Sequence, residues 1–175
     1  GEEKFCRKEI VDKYGISKVK AIVEGGKERY HSVFEGLKQT SDADYVLIHD
    51  GARPFVNQDI IRRCMQEVQK YQACVVGMPV KDTIKIADEE GYAKQTPDRK
   101  NVWMIQTPQT FSYALIYEAY EEMLKTEDTA ITDDAMVLER IKGKKSKLIE
   151  GSYRNIKITT PEDLLIANVY LQHPE

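Results

Sequence analysis

Apolar residues fall along this chain in two rhythms, and the change from one to the other marks out its elements. Phe5, Cys6, Ile10, Val11 and Tyr14 keep helical spacing, and Gly15 can end that helix. Lys18 to Val23 reads as a strand, and the polar run Glu24-Gly25-Gly26-Lys27-Glu28-Arg29 turns into a helix whose Val33, Phe34 and Leu37 face inward. Tyr45 to Ile48 is an apolar strand that breaks at the polar tip His49-Asp50-Gly51. Asn57 is placed to cap a helix reaching about Lys70 with Ile60, Ile61, Cys64 and Val68 inward. Ala73 to Pro79 is apolar almost throughout, as in a strand covered on both faces.

Beyond Pro79 the pattern changes. Val80 to Ala87 alternates in polarity, Asp88-Glu89-Glu90-Gly91 turns, and Tyr92 to Thr96 returns, which predicts a two-stranded arm with one polar face. An isolated hairpin is marginal in water, so the arm is expected to pack on the domain body or on a second subunit. Val102 to Ile105 resumes an apolar strand ended by Gln106-Thr107-Pro108-Gln109, and Tyr113 to Leu124 is an amphipathic helix. A further helix starts at Thr132-Asp133-Asp134 with Thr132 as N-cap, its acids suited to the helix dipole. Lys147 to Glu150 and Asn155 to Ile158 read as short strands. Thr160-Pro161 opens the last helix, carried by Leu164, Leu165, Asn168 and Leu171. Strands alternating with helices predict an α/β class with a mostly parallel central sheet flanked by helices.

At 175 residues, 41% hydrophobic and 31% charged, the chain fits one domain, 1–175, with enough apolar side chains for a core. A net charge of -3 argues against a general nucleic-acid binder, and the apolar runs are too short to cross a membrane. Cys6, Cys64 and Cys74 are odd in number and unsuited in spacing to a metal, so they read as reduced and structural, in keeping with a cytoplasmic protein.

Candidate chemistry gathers at the end of the Tyr45–Ile48 strand. Ligands of open α/β sheets collect at such strand ends. Asp50 there, with Arg53 three residues later, points to a divalent metal and a phosphorylated ligand, although a turn with an Asp-Arg surface pair uses the same residues. The Gly25-Gly26 pair before a helix lets backbone N–H groups approach a phosphate or base, and is equally ordinary turn chemistry. His49 is placed to orient the strand end. No Ser-His-Asp or Cys-His arrangement stands out, which fits direct displacement better than a covalent intermediate.

Taken in order, Glu24-Gly25-Gly26-Lys27-Glu28-Arg29 with Ser32, His49-Asp50-Gly51-Ala52-Arg53-Pro54, Asp82-Thr83-Ile84-Lys85, Arg99, Trp103 with Gln106-Thr107-Pro108-Gln109, Thr132-Asp133 and Asn155-Ile156-Lys157-Ile158-Thr159 resemble the 2-C-methyl-D-erythritol 4-phosphate cytidylyltransferases. The resemblance runs over essentially the whole chain. It implies a Rossmann-like nucleotidyltransferase that transfers CMP from CTP to a polyol phosphate with Mg²⁺ and releases pyrophosphate.

It further implies that Gly26, Ser32 and Gly51 meet the nucleotide, with Lys27 standing where the family often has an Asp. Asp50 would bind Mg²⁺. Arg53, Thr107, Thr132 and Lys157 would surround the polyol phosphate and the reacting phosphorus, with Lys157, Arg99 and Asp50 as the catalytic set. Thr83 and Arg99, on an arm spanning about 80–100, would serve the neighbour's site in a homodimer. The family's N-terminal strand and its Gly-rich triphosphate loop have no counterpart here, so the chain is expected to be part of a longer polypeptide. Two other readings use the same residues: a ribitol 5-phosphate cytidylyltransferase, and an inactive scaffold that keeps the arm.

Overall fold

The structure is a computed structural model describing residues 1–126 and 130–173. Its backbone forms two compact units, one of residues 1–46 and 112–144 and the other of residues 47–111 and 145–173.

The first unit opens with a helical turn, α1 (Glu3–Phe5), that continues as a π-helical stretch over Cys6–Asp12. Residues 18–23 pair with no strand among the described residues. The strand expected there is absent because apolar alternation states only what a segment could bury, whereas a strand exists through a ladder partner. The helix α2 (Arg29–Leu37) starts ahead of Val33, the first of its inward apolar positions, at a capping box between Glu28 and His31. Its Phe34 ring stacks on Tyr120 of α4 (Tyr113–Met123), with centroids 6.1 Å apart. The helix α5 (Asp134–Lys142) packs on α4 and buries Ala135, Val137 and Leu138. Its N-cap is Asp133, which accepts from the Met136 N–H at 2.8 Å, so Thr132 is not the cap that the sequence pattern proposes. Asp133 has the extended backbone of a cap, φ -148° and ψ 174°, and its carboxylate takes the capping position one residue later.

In the second unit the sheet order is β1–β5–β2–β6, with β1 (Tyr45–Ile48) entering through Leu47. The α3 helix (Gln58–Tyr71) is capped by Asn57, whose side chain accepts from Ile60 N–H, and it lays Ile60, Cys64 and Val68 on β2 (Ala73–Pro79) and β6 (Lys147–Glu150). Each fully buried aliphatic side chain of this kind contributes roughly 1.5–3 kcal/mol. The α/β class with helices on a central sheet holds, and its pairings are mixed: β2 runs parallel to β6 and antiparallel to β5 (Trp103–Ser112). The arm is present as β3 (Ile86–Ala87) paired antiparallel with β4 (Ala93–Gln95), with Asp88 accepting from Glu90 and Tyr92 N–H groups in the turn.

Gln106-Thr107-Pro108-Gln109 does not end its strand; β5 runs on to Ser112. What the proline does mark is a shift in register, Val75 facing Gln109 while Gly77 faces Ile105. Gln106, Thr107 and Pro108 together oppose the single residue Val76, so their polar groups are released from the ladder and turn to other partners. Residues 155–158 likewise form no ladder strand among the described residues; a backbone bond from Ile158 N–H to the Ala52 carbonyl, 2.8 Å, helps tie them to the turn after β1.

The last helix, α6 (Pro161–Gln172), begins as expected, with Thr160 and Asp163 in a capping box and Pro161 in the first turn. Its apolar residues are not buried as a stripe: Leu164, Leu165 and Leu171 are exposed and Ala167 alone is buried. Leu164, Leu165, Ile166, Val169 and Leu171 point all round the helix axis, so no one face could take them together.

Candidate active site

The second unit gathers a polar cluster where β1 ends. A bond from Arg53 N–H to the Asp50 carbonyl, 2.9 Å, closes the turn Asp50–Arg53 just beyond the end of β1. Thr107, freed by the register shift, meets this turn from β5. Its Oγ1 accepts from the Asp50 N–H at 3.0 Å and lies 2.9 Å from His49 Nδ1. His49 Nε2 lies 3.0 Å from the Arg53 carbonyl, an acceptor, so Nε2 carries the proton and donates. In the neutral ring Nδ1 is then an acceptor, and the Thr107 hydroxyl donates to it. Every group in this relay has a defined direction, which fixes the peptide on which Asp50 sits.

A second chain of bonds places Lys157. Gln106 Nε2 donates to the Ser152 carbonyl at 2.8 Å, and the wholly buried Asn155 donates through Nδ2 to Gln106 Oε1 and to the Thr107 carbonyl. Gly151 is required beside them, because a Cβ there would lie 2.5 Å from Gln106 Oε1 and from Val76 Cγ1. Arg53 Nη1 donates to the Asn155 carbonyl at 2.8 Å and Nη2 to that of Ile105 at 3.5 Å. Held at Asn155 and again at Ile158, the segment presents Lys157, whose Nζ lies 2.9 Å from Asp50 Oδ2. Burial pushes the Arg53 pKa down from the usual arginine value, with the Asp50 charge acting the other way, and the group keeps its charge throughout the working pH range.

Asp50, Arg53, Thr107 and Lys157 are thus brought together. Gly51 lies in the same turn, where an added Cβ would meet nothing within 4 Å. Thr83 is exposed on the approach to β3, and Arg99 is exposed at the base of the arm, where its Nη1 donates to the Lys81 carbonyl at 2.9 Å.

Gly26, Ser32 and Thr132 belong to the first unit. There Gly26 N–H donates to Ser32 Oγ at 3.0 Å, and Glu28 N–H donates to His31 Nδ1 at 3.2 Å, so the turn is folded back on the first turn of α2. A Cβ on Gly26 would sit 2.2 Å from that of His31, so no side chain fits. Thr132 is exposed just before α5, its hydroxyl 3.5 Å from Met136 Sδ.

Next to these lies a feature absent from the sequence pattern. Asp134 is fully buried and accepts from Arg29 Nη1 at 2.9 Å, Arg29 Nη2 at 2.8 Å and the Tyr120 hydroxyl at 2.6 Å. Burial, and after it the Asp134 charge, pushes the Tyr120 pKa up, so the phenol stays protonated and donates.

A carboxylate beside an ammonium at a strand end, with a guanidinium and a hydroxyl bracing them, can hold and polarise a phosphate-bearing ligand. Among the described residues no group of three or more His, Cys, Asp or Glu side chains converges as a closed metal cage. Magnesium commonly takes only one or two carboxylates and completes its shell with substrate phosphates and water, so Asp50 alone fits such an ion.

The profile of the IspD, or 2-C-methyl-D-erythritol 4-phosphate cytidylyltransferase, family matches residues 7–173. The chain belongs to this family. The cytidylyltransferase of Alkaliphilus oremlandii is 52% identical over 173 residues, a match that covers 98% of this chain and 72% of that protein. The cytidylyltransferase of Lachnospira eligens is 52% identical over 169 residues, covering 96% and 74%. Among solved structures, the 4-diphosphocytidyl-2C-methyl-D-erythritol synthase of Anaerococcus prevotii superposes with a TM-score of 0.89 at 39% identity, covering 98% of this chain and 75% of that one. The cytidylyltransferase of Thermus thermophilus gives 0.77 at 34%, covering 86% and 72%. The residues matched by the family, 7–173, include residues of both units described above.

Asn155, Gln106 and Ser152 are the members of the cluster whose roles sequence reasoning missed. An asparagine leading into the apolar run Ile156-Lys157-Ile158 is the one available signal, since a buried amide must find partners. Asp134 carried a signal that pointed elsewhere, being explained as a dipole partner of its own helix.

Proposed function

We propose that this chain transfers the cytidylyl group of CTP to 2-C-methyl-D-erythritol 4-phosphate, an activity in isoprenoid precursor synthesis, and that Asp50 and Lys157 form its catalytic centre. The observation that carries the assignment of residues is the 2.9 Å pair between Lys157 Nζ and Asp50 Oδ2 at the end of β1. The nucleophile is an oxygen of the polyol phosphate, already mostly deprotonated at pH 7 because its second pKa is about 6. That oxygen bonds to the α-phosphorus of CTP, the bond from the α-phosphorus to the bridging oxygen breaks, and pyrophosphate departs. No general base is needed, and the protein's work is positioning and charge stabilisation.

Asp50 is the carboxylate that would hold Mg²⁺, and a bound magnesium ion would offset the negative charge of the triphosphate. Lys157 supplies a point charge to the transferring phosphoryl group, while Arg53 braces the segment that carries it and Thr107 fixes the Asp50 peptide. Gly26, Ser32 and Gly51 serve the nucleotide, and Thr132 and Thr107 the polyol phosphate. The exposed β3–β4 arm fits a homodimer contact, with Thr83 and Arg99 offered to the partner's site. Among the described residues no helix is long and apolar enough to cross a membrane, and a cytoplasmic setting agrees with the three free cysteines.

Pyrophosphate release from CTP, with methylerythritol phosphate and ribitol 5-phosphate compared side by side, tests this reading. Methylerythritol phosphate should turn over in a Mg²⁺-dependent way, with Asp50→Ala and Lys157→Ala inactive. Turnover of ribitol 5-phosphate alone, or full activity in either variant, would overturn it.

A further inference from the structure

We propose that Asp134 is a positioning residue for both substrates: through Arg29 and Tyr120 it joins the Gly25–Lys27 turn to the start of α5, so that two substrate-contacting segments are held as one piece. The proposal rests on the reading that Gly26 meets the nucleotide and Thr132 the polyol phosphate.

Three observations in the first unit carry it. Arg29 is the first residue of α2, and the glycine turn is fastened to that helix by the bond from Gly26 N–H to Ser32 Oγ and by the Glu28–His31 capping box. Asp134 is the first residue of α5, two positions after Thr132 and one after the cap Asp133. The link between them is a two-pronged contact, Arg29 Nη1 and Nη2 on the two Asp134 oxygens at 2.9 and 2.8 Å, with the Tyr120 hydroxyl as a third donor. A planar fork on a carboxylate fixes rotation as well as separation, which a point charge or an apolar contact does not.

Apolar packing between α2 and α4, through Phe34 with Tyr117 and Tyr120, already binds the helices together. A fully buried carboxylate is therefore a poor choice for adhesion alone, since desolvation offsets much of its gain, but it does set one register. Arg29→Lys keeps the charge and removes the fork, Tyr120→Phe removes one donor and keeps the pair, and Asp134→Asn removes the charge at constant shape. The pair Lys142–Glu122 joins the same two helices α5 and α4 at the surface, so Glu122→Gln is the control for a general loss of helix contact.

Steady-state kinetics with CTP and the polyol phosphate varied in turn decide the matter, with circular dichroism confirming that each variant is folded. Arg29→Lys should raise KM for both substrates on the order of tenfold while kcat changes less, since small misplacements of binding groups carry penalties of this size. Tyr120→Phe should do the same to a smaller extent, and Glu122→Gln should leave both constants unchanged. Gly26→Ala tests the underlying reading. Raised KM for CTP in Gly26→Ala with both KM values unchanged in folded Arg29→Lys and Tyr120→Phe would overturn the positioning role and leave that reading standing. So would a rise for only one of the two substrates. An unchanged KM for CTP in Gly26→Ala would overturn the reading of the turn, and the proposal with it.

Discussion

Two ion pairs of nearly the same length do different things in this molecule. Lys157–Asp50 in the second unit closes at 2.9 Å with the carboxylate side chain 15% exposed and the ammonium 43% exposed. Arg29–Asp134 in the first unit closes at 2.8 Å with the carboxylate fully buried and the guanidinium 37% exposed. Distance alone would rank them together. Burial and the kind of cation separate them. Asp134 receives three donors of fixed direction from its own chain, and Asp50 meets a compact, strongly hydrated point charge on a flexible stem. The first arrangement holds backbone segments in register, and the second keeps charge where water and a ligand can reach it.

The largest test of this contrast is the exchange of effects between activity and stability. Asp50→Asn and Lys157→Met should each lower kcat/KM by about 10²–10³-fold, the range for loss of one charge-stabilising group, with little change in melting temperature. Asp134→Asn should do the reverse in emphasis. Breaking one side of a buried pair costs about 3–5 kcal/mol, and because Arg29 is more than one-third exposed a loss of about 2 kcal/mol is expected in chemical denaturation. A melting temperature that collapses in Asp50→Asn, or stays at the wild-type value in Asp134→Asn, would erase the distinction. A smaller effect is expected where the second unit relies on neutral bonds. Thr107→Val leaves the Asp50 N–H without its acceptor and should lower kcat/KM by roughly tenfold, in line with the cost of an unmet donor.

The same contrast explains how much could be read in advance. Asp50, Arg53 and Lys157 are legible because a strand end announces where ligands collect and because the motif order resembles one enzyme family over the whole chain. Elements with a clear period, α3 and β2, were legible down to the Asn57 cap, except that Ile61, read as inward, is exposed on α3. Segments 18–23 and 155–158 were not, because a ladder depends on a neighbour that local composition does not specify; α6 was legible from its Thr160-Pro161 start, but the exposure of its apolar residues, which turn all round its axis, was not. Gln106 to Pro108 read as the end of a strand since a proline cannot donate to a ladder, and the fold answered instead with a change of register inside β5. Asp134 was furthest from reach, since its partner Arg29 lies 105 positions away and nothing near either residue in the sequence names the other.

The smallest effect calibrates the rest. Asn57 caps α3 through one neutral bond, Ile60 N–H to Asn57 Oδ1 at 2.9 Å, on a helix that otherwise relies on Ile60, Cys64 and Val68 against the sheet. Asn57→Ala should cost about 1 kcal/mol in denaturation, because the N–H regains water at an exposed helix end, and kcat/KM should hold. If Asn57→Ala destabilises as much as Asp134→Asn, the charge and the fork of the Arg29 pair add nothing beyond a single neutral bond. Its register-setting role would then have to come from the Tyr120 and Phe34 rings packed beside it. A clear gap between the two variants, with kcat falling furthest where Asp50 or Lys157 is changed, separates the two ion pairs by their main contribution, stability and positioning at Asp134 and charge stabilisation at Asp50.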